Sequence, residues 1–469
     1  MEYKPNPFSN FHQNIYDKIY NGIIERNRIK IQCERTEETN DQKSENVFEE
    51  VYKYYDFPSG TFNINDLELV DNLLNLLLSI WNKEIPDFNL IMKYHVVDFC
   101  VWVASVQTND NSFITNAVLL FQCFFSYEQK DSLLDTLDIM FELLLDYEDD
   151  IELIKEVICA ISIFCTNSQS AYFKLTNNIN IIEKITKYGV YGPEIIKNEF
   201  LIFSRNFVLF SQKCEDKSIT IEYYQNLIDV SLKSIERFRP KISKNGLLSL
   251  LVLTFNKNII SLEIERGIEP FLLSVLSSYP KKYTYLIYSI IFNLFDFCTE
   301  NNYSTKLISD KAFYTKTAQY IREFSDDVDT LELILSTIDI LGINFWGQFL
   351  RNNVFESMIS ICNKTNFYNS KHICEIFCNL LNSHNTNFIK LYCKEELISL
   401  LCRMLECEDI DFIEKVLKST FYLWNSNPEH FKPIFDSYEY PEILELLSQS
   451  KIKSISQLSS IIFNSYINF

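Results

Sequence analysis

Ile163-Phe164-Cys165-Thr166-Asn167 returns 133 positions on as Asp296-Phe297-Cys298-Thr299-Glu300, a displacement of three units of about 44 residues. A second marker runs in the same register. The acidic turn Glu148-Asp149-Asp150-Ile151-Glu152 comes back as Ser325-Asp326-Asp327-Val328-Asp329 and again as Cys407-Glu408-Asp409-Ile410-Asp411, displaced by 177 and then 82 positions. A third marker, a turn followed by a short apolar stretch, falls near Ile181, Ile268, Phe313, Phe355, Leu397 and Tyr440. Its first gap of 87 holds two units, and the later gaps are 45, 42, 42 and 43. A repeat in the forties, with two or three helical pieces inside it, is the length of a stacked helical unit.

The apolar spacing inside the units is helical. Ile154, Val157, Ile158, Ile161 and Cys165 fall on one face of a 3.6-residue period, as do Leu69, Leu73, Leu77 and Ile80, and Leu331, Ile334, Ile338 and Leu341. Only 8 glycines and 11 prolines punctuate 469 residues, far fewer than the connections of a sheet-rich fold demand. With 47% hydrophobic residues the chain can bury a large core without disulfides or metals. These features predict an all-α fold.

One unit is specific enough to carry a family likeness. Gly267-Ile268-Glu269-Pro270-Phe271-Leu272-Leu273-Ser274-Val275-Leu276-Ser277-Ser278 resembles the armadillo pattern of a glycine turn, Ile and Pro opening a short second helix, and a polar turn, with Tyr283 to Cys298 as the long third helix. The other units match by spacing and apolar pattern. The resemblance implies an armadillo-type α-α superhelix, a solenoid of about nine three-helix repeats over residues 66–469, its end repeats acting as caps. Residues 1–65 are expected to form a polar, loosely ordered leader, since Thr36 to Asn46 is polar and Pro58 to Asn63 is turn-rich. Within it, Arg26 to Arg35 is similar to a thinned version of the basic importin-α segment that binds importin-β; an ordinary amphipathic helix is the other reading.

The armadillo resemblance implies a protein-binding groove lined by third helices. In importin-α that groove carries Trp with Asn four residues later on successive units. Aligned on the Phe-Cys-Thr marker, the corresponding places here are Phe292 and Asp296, Cys159 and Ile163, Ser336 and Ile340, Glu375 and Asn379, and Lys418 and Tyr422. Only Asn379 keeps the family residue, and none of Trp81, Trp102, Trp346 and Trp424 has Asn four places on. The candidate binding residues are therefore Phe292, Asp296, Glu375, Asn379, Lys418 and Tyr422, able to stack or hydrogen-bond along an extended or helical segment. Packing against the neighbouring unit is the competing reading.

Composition narrows the function classes. With 43 basic and 63 acidic residues the formal charge is -20, which repels phosphate backbones and anionic membranes and favours a basic partner. The longest apolar runs, such as Leu286 to Phe295, are interrupted well short of the roughly 20 residues of a membrane span. Thirteen cysteines, many within apolar stretches, fit reduced core residues of a cytoplasmic or nuclear protein.

Other clusters have local explanations. His372, Cys374 and Cys378, with His384 and Cys393 near in sequence, offer soft ligands without the paired spacing of a structural zinc site, so core packing explains them and no metal or other cofactor is expected. Lys233, Arg237, Arg239, Lys241 and Lys244 form the densest basic patch, either a contact for an acidic tail or a solvated connection. The acidic turns are expected to cap helix N-termini. There is no phosphate-cradling glycine loop and no nucleophile elbow. The expectation is a non-catalytic scaffold or adaptor holding a segment of another protein; the alternative is a divergent importin-α-like adaptor for basic import signals.

Overall fold

The structure is a computed structural model that describes residues 41–81, 86–106, 111–126, 131–214, 218–236, 240–303, 305–342, 345–383 and 394–468. It divides into two compact units, Met1–Arg266 and Gly267–Phe469. Nearly all the described residues outside turns are α-helical, and the chain is all-α.

In the first unit the helices are α1 (Asp41–Tyr52), α2 (Leu67–Trp81), α3 (Phe88–Lys93), α4 (Val96–Ser105), α5 (Ser112–Phe124), α6 (Thr136–Asp146), α7 (Ile151–Asn167), α8 (Gln169–Thr176), α9 (Ile179–Tyr191), α10 (Glu194–Lys213), α11 (Ile221–Glu236), α12 (Pro240–Leu253) and α13 (Lys257–Glu265). Long helices pack on long helices in succession: α5 on α7, α7 on α10, and α10 on α12. The β-structure among the described residues is one hairpin, β1 (Tyr55–Asp56) antiparallel to β2 (Thr61–Phe62).

That hairpin corrects the expected leader. Residues 41–62 form α1 and the hairpin, and Phe48, Val51 and Phe62 are buried. Tyr55 stacks on His95 with ring centroids 4.1 Å apart and planes 11° from parallel, which ties the hairpin to the start of α4. The polar run from Thr36 to Asn46 hid this, because the burying residues follow it. The basic stretch Arg26 to Arg35 lies outside the described residues.

The second unit comprises α14 (Ile268–Ser278), α15 (Thr284–Glu300), α16 (Lys311–Glu323), α17 (Val328–Leu341), α18 (Trp346–Arg351), α19 (Val354–Ile361), α20 (Phe367–Asn382), α21 (Glu395–Met404), α22 (Ile410–Ser426), α23 (Pro428–Asp436), α24 (Tyr440–Ser448) and α25 (Lys453–Ile467). The long helices α15, α17, α20, α22 and α25 each pack on the next, and the shorter α14, α16, α19 and α21 do the same. Every residue of the third marker lies on a helix with its side chain enclosed: Ile181, Ile268, Phe313, Phe355, Leu397 and Tyr440. The repeat visible in the sequence is therefore a repeat of core positions.

The acidic turns cap helices as expected. Asp150 accepts from the Leu153 amide at 3.0 Å, Asp327 from the Thr330 amide at 3.1 Å and Asp409 from the Phe412 amide at 3.1 Å. Each satisfies an otherwise free amide and sets negative charge at the positive end of the dipole. A further repeat shows only in the backbone. His95, Gly267, Asn353 and Glu439 all take left-handed φ values, between 51° and 86°, just before a helix, and they are separated by 172, 86 and 86 positions. The chain makes the same turn there with four different residues.

Candidate protein-binding face

The second unit presents a polar ridge built from one face each of α17, α20 and α22. On α17 the ridge residues are Glu332 and Asp339, on α20 Lys371, Glu375 and Asn379, and on α22 Lys418 and Tyr422; the opposite faces of the same helices are core. Spacings of three, four or seven keep such residues on one side of a helix.

Side chains join the three helices across the ridge. The Tyr368 hydroxyl donates to Glu332 Oε1 at 2.8 Å, and Asn379 Nδ2 to Asp339 Oδ1 at 3.4 Å, linking α20 to α17. Lys371 Nζ donates to Asp409 Oδ2 at 2.7 Å and lies 5.0 Å from the centre of the Phe412 ring, linking α20 to α22. Burial pushes the Glu375 carboxyl above its usual range; Lys415 and Lys371 oppose that rise and Asp339 and Asp409 add to it. The Asp409 carboxyl is held below its usual range, first by the Lys371 ammonium and then by the Phe412 amide.

The six sequence candidates separate into two groups. Glu375 and Asn379 are half-buried neighbours one turn apart on α20; Lys418, exposed and 4.0 Å from Glu414, and half-exposed Tyr422 are one turn apart on α22, which packs on α20. Phe292 and Asp296 do not join them. Phe292 is 0% exposed and Asp296 9% exposed, so neither the ring nor the carboxylate is presented as a binding surface. The reason is that apolar residues predominate around α15, which is covered along most of its length, so that even its polar Ser289, Asn293 and Asp296 are buried.

Asp339 was missed because the marker alignment pointed to Ser336 and Ile340 in its unit. Ser336 is buried and Ile340 is only partly exposed. The signal was present: Asp329, Glu332 and Asp339 are the charged residues of α17, and they mark its solvent side.

An open cavity of about 580 Å³ lies at the C-terminal ends of α17 and α20, and Asp339 and Asn379 stand on its rim. Its floor includes Phe349 and Phe355 from α18 and α19, and Gly342, with φ of 57°, turns the chain beside it.

The first unit carries a different polar system between its long helices. Gln122 Nε2 donates to Glu156 Oε2 at 2.7 Å, Asn206 Nδ2 to Ser162 Oγ at 3.0 Å and Asn245 Nδ2 to Asn198 Oδ1 at 2.8 Å. These bonds bridge partners 34 to 47 positions apart. The Cys159 thiol contacts Gln122 Oε1 at 3.6 Å, so this marker position also serves contact between helices.

The remaining clusters resolve as follows. Cys374 and Cys378 are enclosed, with sulfurs 4.0 Å apart on one face of α20. His384 and Cys393 lie outside the described residues, among which no group of three His, Cys, Asp or Glu could hold a metal ion. Arg237 and Arg239 also lie outside them. Among the described residues no helix is long and apolar enough to cross a membrane.

No family model matches the chain, and no curated protein matches it. Solved structures do. The crystal structure of an engineered protein from the Northeast Structural Genomics Consortium aligns over 90% of this chain and 99% of its own length, with a TM-score of 0.64 and 14% sequence identity. At that identity the likeness is one of fold.

Proposed function

We infer that this chain is an armadillo-type helical solenoid that acts as a non-catalytic scaffold or adaptor, holding a segment of another protein along the exposed ridge of its long helices. The observation that carries the reading is the continuity of the ridge. Three consecutive long helices, α17, α20 and α22, keep a polar face open while their other faces are core, and Tyr368, Asn379 and Lys371 hold those faces in register. A surface assembled from repeated units offers many modest contacts along one line, which suits an extended or helical segment. The ridge mixes Glu332, Asp339 and Glu375 with Lys371 and Lys418, and the chain as a whole is acidic, so a partner carrying basic residues fits best.

The test is affinity capture from a native extract, with the wild-type chain set against a Lys418→Glu, Tyr422→Ala double variant whose thermal melt is unchanged. A defined set of proteins held by wild type and lost by the variant supports the reading. Identical captures would remove the ridge as the binding face, and no specific capture by wild type would overturn the adaptor role.

A further inference from the structure

We propose that the cavity at the ends of α17 and α20 is an anchor site for one aromatic side chain of a bound protein segment, with a lysine or arginine beside that residue engaging Asp339. This rests on the adaptor reading and gives its partner a chemical signature.

Three features of the cavity select this occupant. The first is size: about 580 Å³ lies within the range of cavities that enclose a ligand group, and it is ample for a ring with part of its backbone. The second is the floor, where Phe349, Phe355 and Ile376, each at most 5% exposed, turn only the margins of their side chains to the cavity, so that an entering ring meets apolar edges. The third is the field at the mouth. Both α17 and α20 end there, at Leu341 and Asn382, so their terminal carbonyls set partial negative charge around the opening. Asp339 adds a full negative charge, and among the described residues no lysine or arginine lines the cavity.

An apolar pocket under a negative rim rejects an acidic neighbour and attracts a cationic one. The Asp339 contact with Asn379 is long, at 3.4 Å, and a carboxylate has further acceptor positions for an incoming ammonium or guanidinium. Ser383, exposed at the lip, adds a second polar point of contact.

The experiment uses the full chain and short synthetic peptides in a glycine-serine background, with binding read by ligand-observed NMR. One peptide carries phenylalanine next to lysine, a second alanine next to lysine, and a third phenylalanine next to glutamate. The expected order is strong preference for the first, with affinity at least about tenfold weaker for each of the others. Asp339→Asn, which keeps the shape and the Asn379 contact, should bring the phenylalanine-lysine peptide close to the phenylalanine-glutamate peptide. Ser383→Trp, which narrows the mouth from an exposed position, should weaken every phenylalanine peptide. Equal binding of the three peptides, no detectable binding of any, or wild-type behaviour in both variants would overturn the anchor site. If Ser383→Trp nevertheless captures the same proteins from extract as wild type, the anchor fails and the adaptor stands; loss of capture in the Lys418 and Tyr422 variant tests the adaptor separately.

Discussion

The Asp409 carboxylate is shared between two helices: one oxygen accepts from its own Phe412 amide at 3.1 Å and the other from Lys371 Nζ of α20 at 2.7 Å. A single side chain thereby caps α22 and fastens it to the preceding long helix. The same acidic turn in the first unit is used differently, since Asp150 accepts from the Leu153 amide and from Asn111 Nδ2 at 2.8 Å. The repeated turn is a local device that each unit has connected to whatever its neighbour offers.

Asp409→Ala should destabilise the second unit by about 1–2 kcal/mol, the range for losing a helix cap. Asp409→Asn can still cap and should lose less. The Asp409 carboxyl is lowered in the fold, so its stabilisation is fully present above the unfolded carboxyl value and is lost as pH falls through the lowered folded value. Urea denaturation across acidic pH should show a shallower decline for Asp409→Asn than for wild type; parallel curves would mean the Lys371 contact contributes nothing in solution.

Glu263 on α13 is 0% exposed, and neither carboxylate oxygen has a hydrogen-bond partner among the described residues. Burial pushes its carboxyl well above the ordinary range. Stability from this group is full below the unfolded value and declines as pH rises toward the raised folded value. Glu263→Met should raise stability at neutral pH by about 1–3 kcal/mol. Glu263→Gln should remove the pH-dependent decline with a smaller gain. A destabilised Met variant in thermal melts would contradict this account.

The left-handed turns give a paired expectation. At Gly267 an added Cβ would suffer the steric conflict of left-handed backbone, so Gly267→Ala should cost about 1 kcal/mol. Glu439 already bears that cost at φ of 51°, and Glu439→Gly should gain several tenths of a kcal/mol or more. Opposite shifts in midpoint temperature are the result to look for; the same sign for both would mean the turns are not equivalent.

Phe292→Ala should cost about 3–5 kcal/mol, because it empties an enclosed site. Tyr422→Ala, at a half-exposed position on α22, should cost much less. Chemical denaturation of the two variants separates core from surface at two places that the sequence alignment both assigned to the binding groove, and equal losses would put Tyr422 in the core.

Much of this was legible in the residues. Ile154, Val157, Ile158, Ile161 and Cys165 announced a helix, and α7 spans Ile151–Asn167 with all but Cys165 at 1% exposure or less. Asp150, Asp327 and Asp409 announced helix starts and are helix caps. Glu375 and Asn379, taken from the sequence as one unit's groove positions, lie half-buried one turn apart on α20. The site was less legible because alignment by one marker says which positions correspond and not which are open. Phe292 and Glu375 correspond, yet one is fully enclosed and the other lies beside Lys371, Lys415 and Asp339.

What the sequence by itself determined is what short-range physics controls: helical periodicity, the repeat of roughly 43 residues and the acidic caps, each set by residues within a few turns of one another. The tertiary structure alone decided which helix faces stayed open, that the left-handed turn recurs at His95, Gly267, Asn353 and Glu439, and that Asp339 meets Asn379 above an apolar cavity. Those outcomes depend on partners 40 or more positions away, and a residue's burial belongs to the neighbours that cover it as much as to the residue itself.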